Sequence, residues 1–510
     1  MEFNQDKHSI KTTVTVLDTV AEQLTDVDLT LPDYCPDIEK ILKCSLTPKI
    51  QSKTLSGGQL QVEGFCVVNV LYVERAKKSI RCCEQTVNFS QSFSLKETPE
   101  NPVIITKTKS EYINCRALSP RRLVMHGAFS LYAKVICSSE TKIFAPETDK
   151  VLETNVLNVK CVNLVSLCQE QFSISEEVSV GDKPPVEAVL HSSVSVNITD
   201  NKAVTGKLMI NGEINLKMLY ITDVENGETA KLDYILPFNQ IIDCEGIDEN
   251  TVNYLNCEIM SYEIRLKNDV MSEKPSVLLD LKLCITEEGY ALRNENIIVD
   301  AYSVEYQTRP LFDNLPVIGE ITCINDNHIE KSSVGISDGK ISKIINIYSD
   351  NINSESCFGE GMLKTSGKIN VCILALNEDN LPVFIERTID YSNKTTAESD
   401  CNNILSVQPR VASISYRLAD DNNIELRCEI KTQILAVNKM IVRSVQEVEV
   451  YEDKPIKPDN CALTLYFAEK GETLWDIAKA HNTKLDMLLE ENSVEKQIVE
   501  APCMLLIPRV

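Results

Sequence analysis

Apolar and polar residues alternate over long stretches of this chain, which predicts β-strands. The range Ile424–Ala436 alternates aliphatic residues with charged or polar partners, as a half-buried strand of an antiparallel sheet does. Further strands are predicted at Leu123–Val135 and Val277–Ile285. Turn signals such as Glu225–Gly227 and Ser337–Gly339 separate the strands into hairpins.

An internal repeat organises these strands. Glu22–Leu42 aligns without gaps with Glu170–Leu190 at an offset of 148 residues. The same offset aligns GFCVVNVLYV, which begins at Gly64, with GEINLKMLYI, which begins at Gly212. A third run, GKINVCILAL, begins 155 residues later at Gly367. Self-similarity at a fixed period indicates duplicated structural units. We therefore predict three related β-rich units, the third being the most divergent.

The repeat and the prolines give the predicted organisation. Short helices are expected at Ile38–Leu42 and Val186–Leu190, directly after prolines. The fold class is mainly β, with antiparallel, sandwich-like units. The predicted divisions are units at 1–169, 170–312 and 313–452, a proline-containing linker at 453–461, and a small βααβ unit at 462–510.

The last 50 residues have a different pattern from the repeats. A strand is predicted at Ala462–Ala468, a second helix at Lys484–Glu491 and a closing strand at Met504–Ile507. Between the first strand and the second helix, the helical spacing of apolar residues predicts a first helix. The order of elements is therefore βααβ.

The first of these helices has a clear start signal. Thr473 is the expected N-cap, and Asp476 three residues later completes an arrangement like a capping box. Leu474, Ile477 and Ala478 follow at positions i, i+3 and i+4, which predicts a buried stripe.

This C-terminal segment resembles a LysM domain. The residues that match the family pattern are Gly471, Glu472, Thr473, Leu474, Trp475, Ile477, Ala478, Leu488, Asn492, Ile507 and Pro508. LysM domains generally bind polymers of N-acetylglucosamine, such as peptidoglycan. The resemblance implies sugar contacts at Gly471, Glu472, Thr473, Asn492, Ser493 and Val494. The family usually has Gly-Gln before the last strand, whereas this chain has Pro502-Cys503.

A second hypothesis is that this segment binds a protein. Trp475 is the only tryptophan of the chain and is predicted to lie at the flank of the buried stripe. A partly exposed Trp475 beside Leu474, with a strand edge at Leu463 and Leu465, is typical of an interface hot spot. A third interpretation is that Trp475 simply closes a very small core.

Three such repeats followed by one LysM-like segment resemble the SPOCS-domain proteins of spore-forming Firmicutes. The resemblance covers nearly the whole chain and rests on the Pro-x-Ile-Glu-x-Ile-Leu segment and the Gly…Leu-Tyr strand. It implies a protein of the mother-cell cytoplasm at the forespore surface. It further implies binding of the coat-morphogenetic ATPase SpoIVA through the LysM domain, which helps the spore coat encase the forespore.

Charge and apolar runs narrow the classes of partner. The formal net charge of -24 repels phosphate backbones, so we expect no nucleic acid as a partner. The apolar runs are much shorter than the roughly 18 residues of a membrane span, so we expect no membrane-spanning segment. The first residues lack the basic and apolar regions of a secretory signal, so we expect the protein to stay in the cytoplasm.

The sequence carries no recognisable catalytic pattern. The 19 cysteines are scattered without any C-x-x-C spacing, which favours reduced, buried thiols. The five histidines share no spacing that suggests a metal site or a catalytic triad. We therefore expect no enzyme activity, no metal and no cofactor. The leading hypothesis is a non-enzymatic adaptor, and the alternative is a peptidoglycan-binding protein.

Overall fold

The computed structural model describes residues 9–144, 152–267, 275–336, 340–359, 361–396, 401–420, 423–457, 463–494 and 497–508. Over these ranges the chain is nearly all β-strand, which confirms the predicted fold class. The predicted turn at Ser337–Gly339 lies outside the described residues. The predicted turn at Glu225–Gly227 is present, with Gly227 in a left-handed conformation (φ +69°).

In the part of the chain that the structure describes, eighteen consecutive strands group by their pairing into three sets of six, which we call modules. The first module contains β1 (Ser9–Thr30), β2 (Ile38–Ser56), β3 (Gln59–Glu74), β4 (Ile80–Ser94), β5 (Val103–Ser119) and β6 (Arg122–Lys142). The second contains β7 (Leu152–Ser179), β8 (Ala188–Val204), β9 (Lys207–Asp223), β10 (Glu228–Asp243), β11 (Val252–Lys267) and β12 (Ser276–Ser303). The third contains β13 (Tyr306–Gly335), β14 (Ile341–Gly359), β15 (Met362–Asn377), β16 (Pro382–Thr396), β17 (Asn403–Asp420) and β18 (Asn423–Pro455).

Strand pairing is the same in all three modules. The second, third and fourth strands form an antiparallel meander, in the orders β2-β3-β4, β8-β9-β10 and β14-β15-β16. The sixth strand lies between the first and the fifth, in the orders β1-β6-β5, β7-β12-β11 and β13-β18-β17. The first strand of each module therefore pairs with the last, and this closes the second three-stranded sheet.

Each module has its own core between its two sheets. In the first module, Val68, Val70 and Tyr72 of β3 lie in one buried cluster with Leu123 and Met125 of β6. In the third module, the residues that alternate in the predicted strand are buried, namely Ile424, Leu426, Cys428 and Ile430. Alternate burial is what an antiparallel sheet with one face on the core requires.

The repeat glycines occupy equivalent places. Each lies on the central strand of a meander and pairs with an aromatic residue of the next strand, as Gly64–Phe89, Gly212–Phe238 and Gly367–Tyr391. A Cβ atom on any of them would overlap the aromatic ring and a backbone carbonyl oxygen of the preceding strand. Glycine is required here because ring and backbone come too close for any side chain.

A second repeated contact explains the proline signals. The hydroxyl of Tyr72 donates a hydrogen bond to the carbonyl of Pro36, and Tyr220 donates the same bond to Pro184. The third module has Ala375 at the tyrosine position and has also lost the prolines. Both halves of the contact are therefore missing together from this copy.

The prediction of two helices after the prolines was wrong. Ile38 is the first residue of β2 and Ala188 the first of β8. In β2 the pairing register shifts between Ile38 and Lys40 and again between Ile41 and Lys43. Such bulges insert extra residues into a strand, so the apolar spacing departs from strict alternation and resembles a helical one.

The strands also bear on the division into modules. Residue 169 lies inside β7 and residue 312 inside β13, and both strands continue without a break. Because each first strand pairs with its module's sixth strand, we propose limits between β6 and β7 and between β12 and β13 instead.

The three modules meet at a shared apolar junction. Leu71, Leu219 and Leu374 stand at equivalent positions of β3, β9 and β15, and all three lie in one buried cluster. Each leucine is at most 7% exposed, and full burial of such a side chain contributes about 1.5–3 kcal/mol. The repeat thus places the same residue type where the three modules converge.

A buried ion pair also joins the first two modules. Lys53, whose side chain is 1% exposed, reaches Glu258 at 3.1 Å and donates to the carbonyl of Ile104 at 2.7 Å. Burial raises the pKa of Glu258.

Neither helix of the described residues is long and apolar enough to cross a membrane.

The glycine positions can be tested by adding a single methyl group. We expect Gly367→Ala to destabilise the protein by about 1–3 kcal/mol, because the new Cβ collides with the backbone of Asn353 and the ring of Tyr391. Gly359→Ala is the matched control, since nothing lies within 4 Å of its Cβ position. The readout is the midpoint of thermal unfolding. Equal midpoints for the two variants would contradict the proposed role of the glycine.

Candidate functional site

The last part of the chain folds as a small C-terminal module. It consists of β19 (Leu463–Ala468), α1 (Leu474–Ala480), α2 (Leu485–Asn492) and β20 (Cys503–Pro508). The two strands pair antiparallel, and the order βααβ agrees with the prediction.

The start of α1 follows the predicted signals. The Thr473 hydroxyl accepts a hydrogen bond from the backbone N–H of Asp476 at 3.1 Å and donates one to the Asp476 carboxylate at 2.6 Å. Leu474, Ile477 and Ala478 are buried, which confirms the predicted stripe. The exposed fraction of Leu474 is 1%, so its side chain belongs to the core of the module.

Trp475 is not partly exposed, and in this respect the prediction was wrong. Only 6% of the residue is accessible, because it packs against β12 of the second module. The Tyr302 and Trp475 rings meet edge to face with 5.0 Å between their centroids. The indole Nε1 donates a hydrogen bond to Asp300 Oδ2 at 2.8 Å. The covering residues precede Trp475 by about 175 positions, too far to be found from local sequence.

Asp300 is the centre of this intramolecular interface. Its carboxylate, 18% exposed, accepts the Trp475 indole bond and both 2.7 Å contacts of the Lys479 ammonium. Tyr302 adds a buried hydrogen bond of 2.7 Å from its hydroxyl to the carbonyl of Thr483. Burial raises the pKa of Tyr302, so the phenol stays protonated and able to donate. The α1 side of the C-terminal module is therefore fixed to the second module.

The residues suggested for sugar binding already have partners within the module. The Asn492 side-chain oxygen accepts a hydrogen bond from the Leu506 N–H, and its NH₂ group donates to the carbonyls of Leu506 and Leu488. Glu472 accepts hydrogen bonds from the Tyr466 hydroxyl and the Glu469 backbone, and the first of these raises the pKa of Tyr466.

The other suggested sugar-binding positions have structural roles of their own. Gly471 adopts a φ of +96° and donates its N–H to the carbonyl of Val499. Ser493 ends α2 in a left-handed conformation and is exposed. The Val494 N–H bonds the carbonyl of Leu489. The suggested residues therefore lie in two places, before the start of α1 and at the end of α2.

An apolar strip lies on the free face of the small sheet. Leu465, Phe467 and Met504 are 63%, 60% and 58% exposed. Leu465 was predicted to belong to an interface at this strand edge. Leu463 was predicted with it, but its side chain is not among those that the structure describes. Phe467 and Met504 were not predicted, although the alternation of Leu465 and Phe467 along β19 could have indicated that they share a face.

The same strand has an open hydrogen-bonding edge. Leu506 directs its N–H and C=O to Asn492, so its partner Leu465 belongs to a pair without mutual hydrogen bonds. The backbone groups of Leu465 therefore point away from β20. Within the described residues no third strand pairs with β19. Exposed apolar side chains and unpaired backbone groups thus coincide on one edge.

Comparison with known families identifies the repeat units. The model described as "SipL, SPOCS domain" matches residues 37–118 and 185–267. The chain therefore contains two segments that match the SPOCS domain. The two SPOCS matches correspond to the second to fifth strands of the first and second modules, β2–β5 and β8–β11. The match indicates a sporulation-related protein.

Other comparisons add no further relative. Neither the curated proteins nor the solved structures gave a significant match. The third module was not matched by the SPOCS model, yet it has the same strand order and an equivalent glycine–aromatic pair.

The single tryptophan reports directly on the interface at Asp300. We expect Asp300→Ala to shift the fluorescence of Trp475 to longer wavelengths and to make it accessible to a soluble quencher. The loss leaves the indole N–H and the Lys479 ammonium without their acceptor, which costs about 1–3 kcal/mol. Asp243→Ala, at a carboxylate with an 84% exposed side chain in the same module, is the control. Identical spectra for the Asp300 variant and the unmodified protein would refute the contact.

Proposed function

We propose that this protein is a non-enzymatic adaptor in sporulation. It binds the coat-morphogenetic ATPase SpoIVA through the C-terminal, LysM-like module and helps the coat encase the forespore. It acts in the mother-cell cytoplasm at the forespore surface. The SPOCS matches support the sporulation setting, and the exposed strip on the C-terminal module supports the mode of binding.

The strip is the observation that carries this proposal. Leu465, Phe467 and Met504 form an exposed apolar surface beside an open strand edge. Interfaces are organised around such apolar and aromatic anchors, and an open edge adds main-chain hydrogen bonds to a partner strand. This face therefore provides both sources of affinity.

Trp475 and Leu474 support the proposed function indirectly, because they are buried and do not belong to the strip. Leu474 holds the core of the module, and Trp475 anchors the module on Asp300 and Tyr302. Their replacement is expected to weaken partner binding indirectly, because the strip then loses its fixed position relative to the repeats.

The strip is tested by replacing its exposed apolar side chains with negatively charged ones, while the core residues of the module stay unchanged. We expect the double variant Leu465→Asp, Phe467→Asp to weaken capture of purified SpoIVA by at least about thirtyfold, as loss of a 2 kcal/mol hot spot does. The readout is the dissociation constant for full-length protein. Ile235→Asp is the matched control, because Ile235 is a 60% exposed aliphatic residue of a strand in the second module.

Trp475 fluorescence checks that the double variant keeps the module folded and docked. Undiminished affinity with native fluorescence would reject the strip as the binding face. Peptidoglycan binding is the alternative, so the same proteins are sedimented with insoluble peptidoglycan. We expect them in the supernatant, because the polar groups of Glu472, Thr473 and Asn492 already have internal partners.

A further inference from the structure

Two cysteines and a glutamate converge inside the second module. Cys168 lies on β7, Cys244 directly follows β10, and Glu287 lies on β12. The two sulfur atoms are 2.8 Å apart, and Cys168 Sγ is 3.5 Å from Glu287 Oε2. The ligand atoms of all three residues lie within 4.8 Å of one another. Cys244 and Glu287 are 76 and 119 positions from Cys168, so sequence spacing does not mark the group.

Among the described residues, no cation neutralises the carboxylate of this group. Glu287 is fully buried, at 0% exposure, beside the aliphatic cluster that contains Ile247 and Ile285. Its Oε2 accepts a hydrogen bond from the Ser166 hydroxyl at 2.7 Å, whereas its Oε1 is buried without a hydrogen-bond partner among the described residues. A buried, half-satisfied carboxylate is costly unless a cation or a further donor compensates it.

A second cluster shows the usual compensation. Asp350, Cys372 and Glu386 also come within 4.8 Å of one another in the third module. There the Lys43 ammonium reaches Glu386 at 2.7 Å and Asp350 at 3.7 Å, so a side chain already supplies the positive charge. Within the described residues, no lysine, arginine or histidine pairs with Glu287 in this way. The two clusters differ in that missing cation.

We propose that Cys168, Cys244 and Glu287 bind a zinc ion that stabilises the second module. Two thiolates and one carboxylate around Zn²⁺ leave a net charge of -1, the same as in the Cys₃His sites that commonly hold structural zinc. Ser166 orients the carboxylate through its hydrogen bond, as outer residues of metal sites do. Water completes the tetrahedron.

Binding of the ion requires a small separation of the two sulfur atoms. At Zn–S distances of about 2.3 Å the two sulfurs would stand roughly 3.8 Å apart, so the thiols separate by about 1 Å on binding. Cys244 directly follows the last residue of β10 and so lies outside the strand pairing of that sheet. Gly289 accommodates the carboxylate, since a Cβ at that position would be only 2.5 Å from Glu287 Oε1.

The test measures zinc on the full chain. Reduced protein is stripped with a chelator, loaded with Zn²⁺, desalted and analysed for metal content; Co²⁺ serves as a spectroscopic probe of thiolate ligands. We expect one tightly held zinc per chain and a thiolate-to-cobalt absorption band. Cys168→Ser with Cys244→Ser should abolish both signals, and Glu287→Gln should weaken zinc binding at least tenfold. Cys372→Ser, in the lysine-neutralised cluster, should keep both.

Any of three results would overturn the proposal. One is a wild-type protein that retains no more zinc than the double serine variant. Another is an intact mass and peptide map showing a Cys168–Cys244 disulfide in protein isolated from a reducing cytoplasm. Should the double variant not fold, Glu287→Gln decides, because this change keeps the size of the side chain. Zinc affinity equal to that of the wild type in Glu287→Gln would equally reject the site.

Discussion

One carboxylate, Asp300, determines how the C-terminal module is presented. It accepts the indole N–H of Trp475 and the ammonium of Lys479 while Tyr302 packs against the indole ring. Because this contact covers the α1 side, the opposite sheet face remains accessible. The apolar strip and the open edge of β19 owe their orientation to an interaction made on the other side of the module.

The repeats supply a frame that can hold this contact. Each module is closed by pairing of its first and last strands, and equivalent leucines of all three modules share one cluster. Several strands are long: β12 has 28 residues and β18 has 33. The far end of β12 carries Asp300 and Tyr302 out to the C-terminal module. The length of this core strand thus brings the second module into contact with the C-terminal module.

Much of the fold could be predicted from the sequence because it depends on local patterns. The glycine at 64, 212 and 367 marks a close approach of ring and backbone, and alternation marks the strands. The helices predicted at 38–42 and 186–190 were wrong because bulges disturb the alternation. The environment of Trp475 could not be predicted, since its contacts come from a different module. The Cys168 group was missed for another reason: its members lie in one module, but Cys244 and Glu287 are 76 and 119 positions from Cys168 in the sequence.

The central claim is that a partner binds the strip while Trp475 stays docked on Asp300. Hydrogen–deuterium exchange of the full chain, with and without SpoIVA, tests it most directly. We expect slower exchange at Leu463–Phe467 on binding, with unchanged exchange in α1 and at residues 300–304. Slower exchange in α1 together with faster exchange at residues 300–304 would show that the partner displaces the second module, and would contradict it.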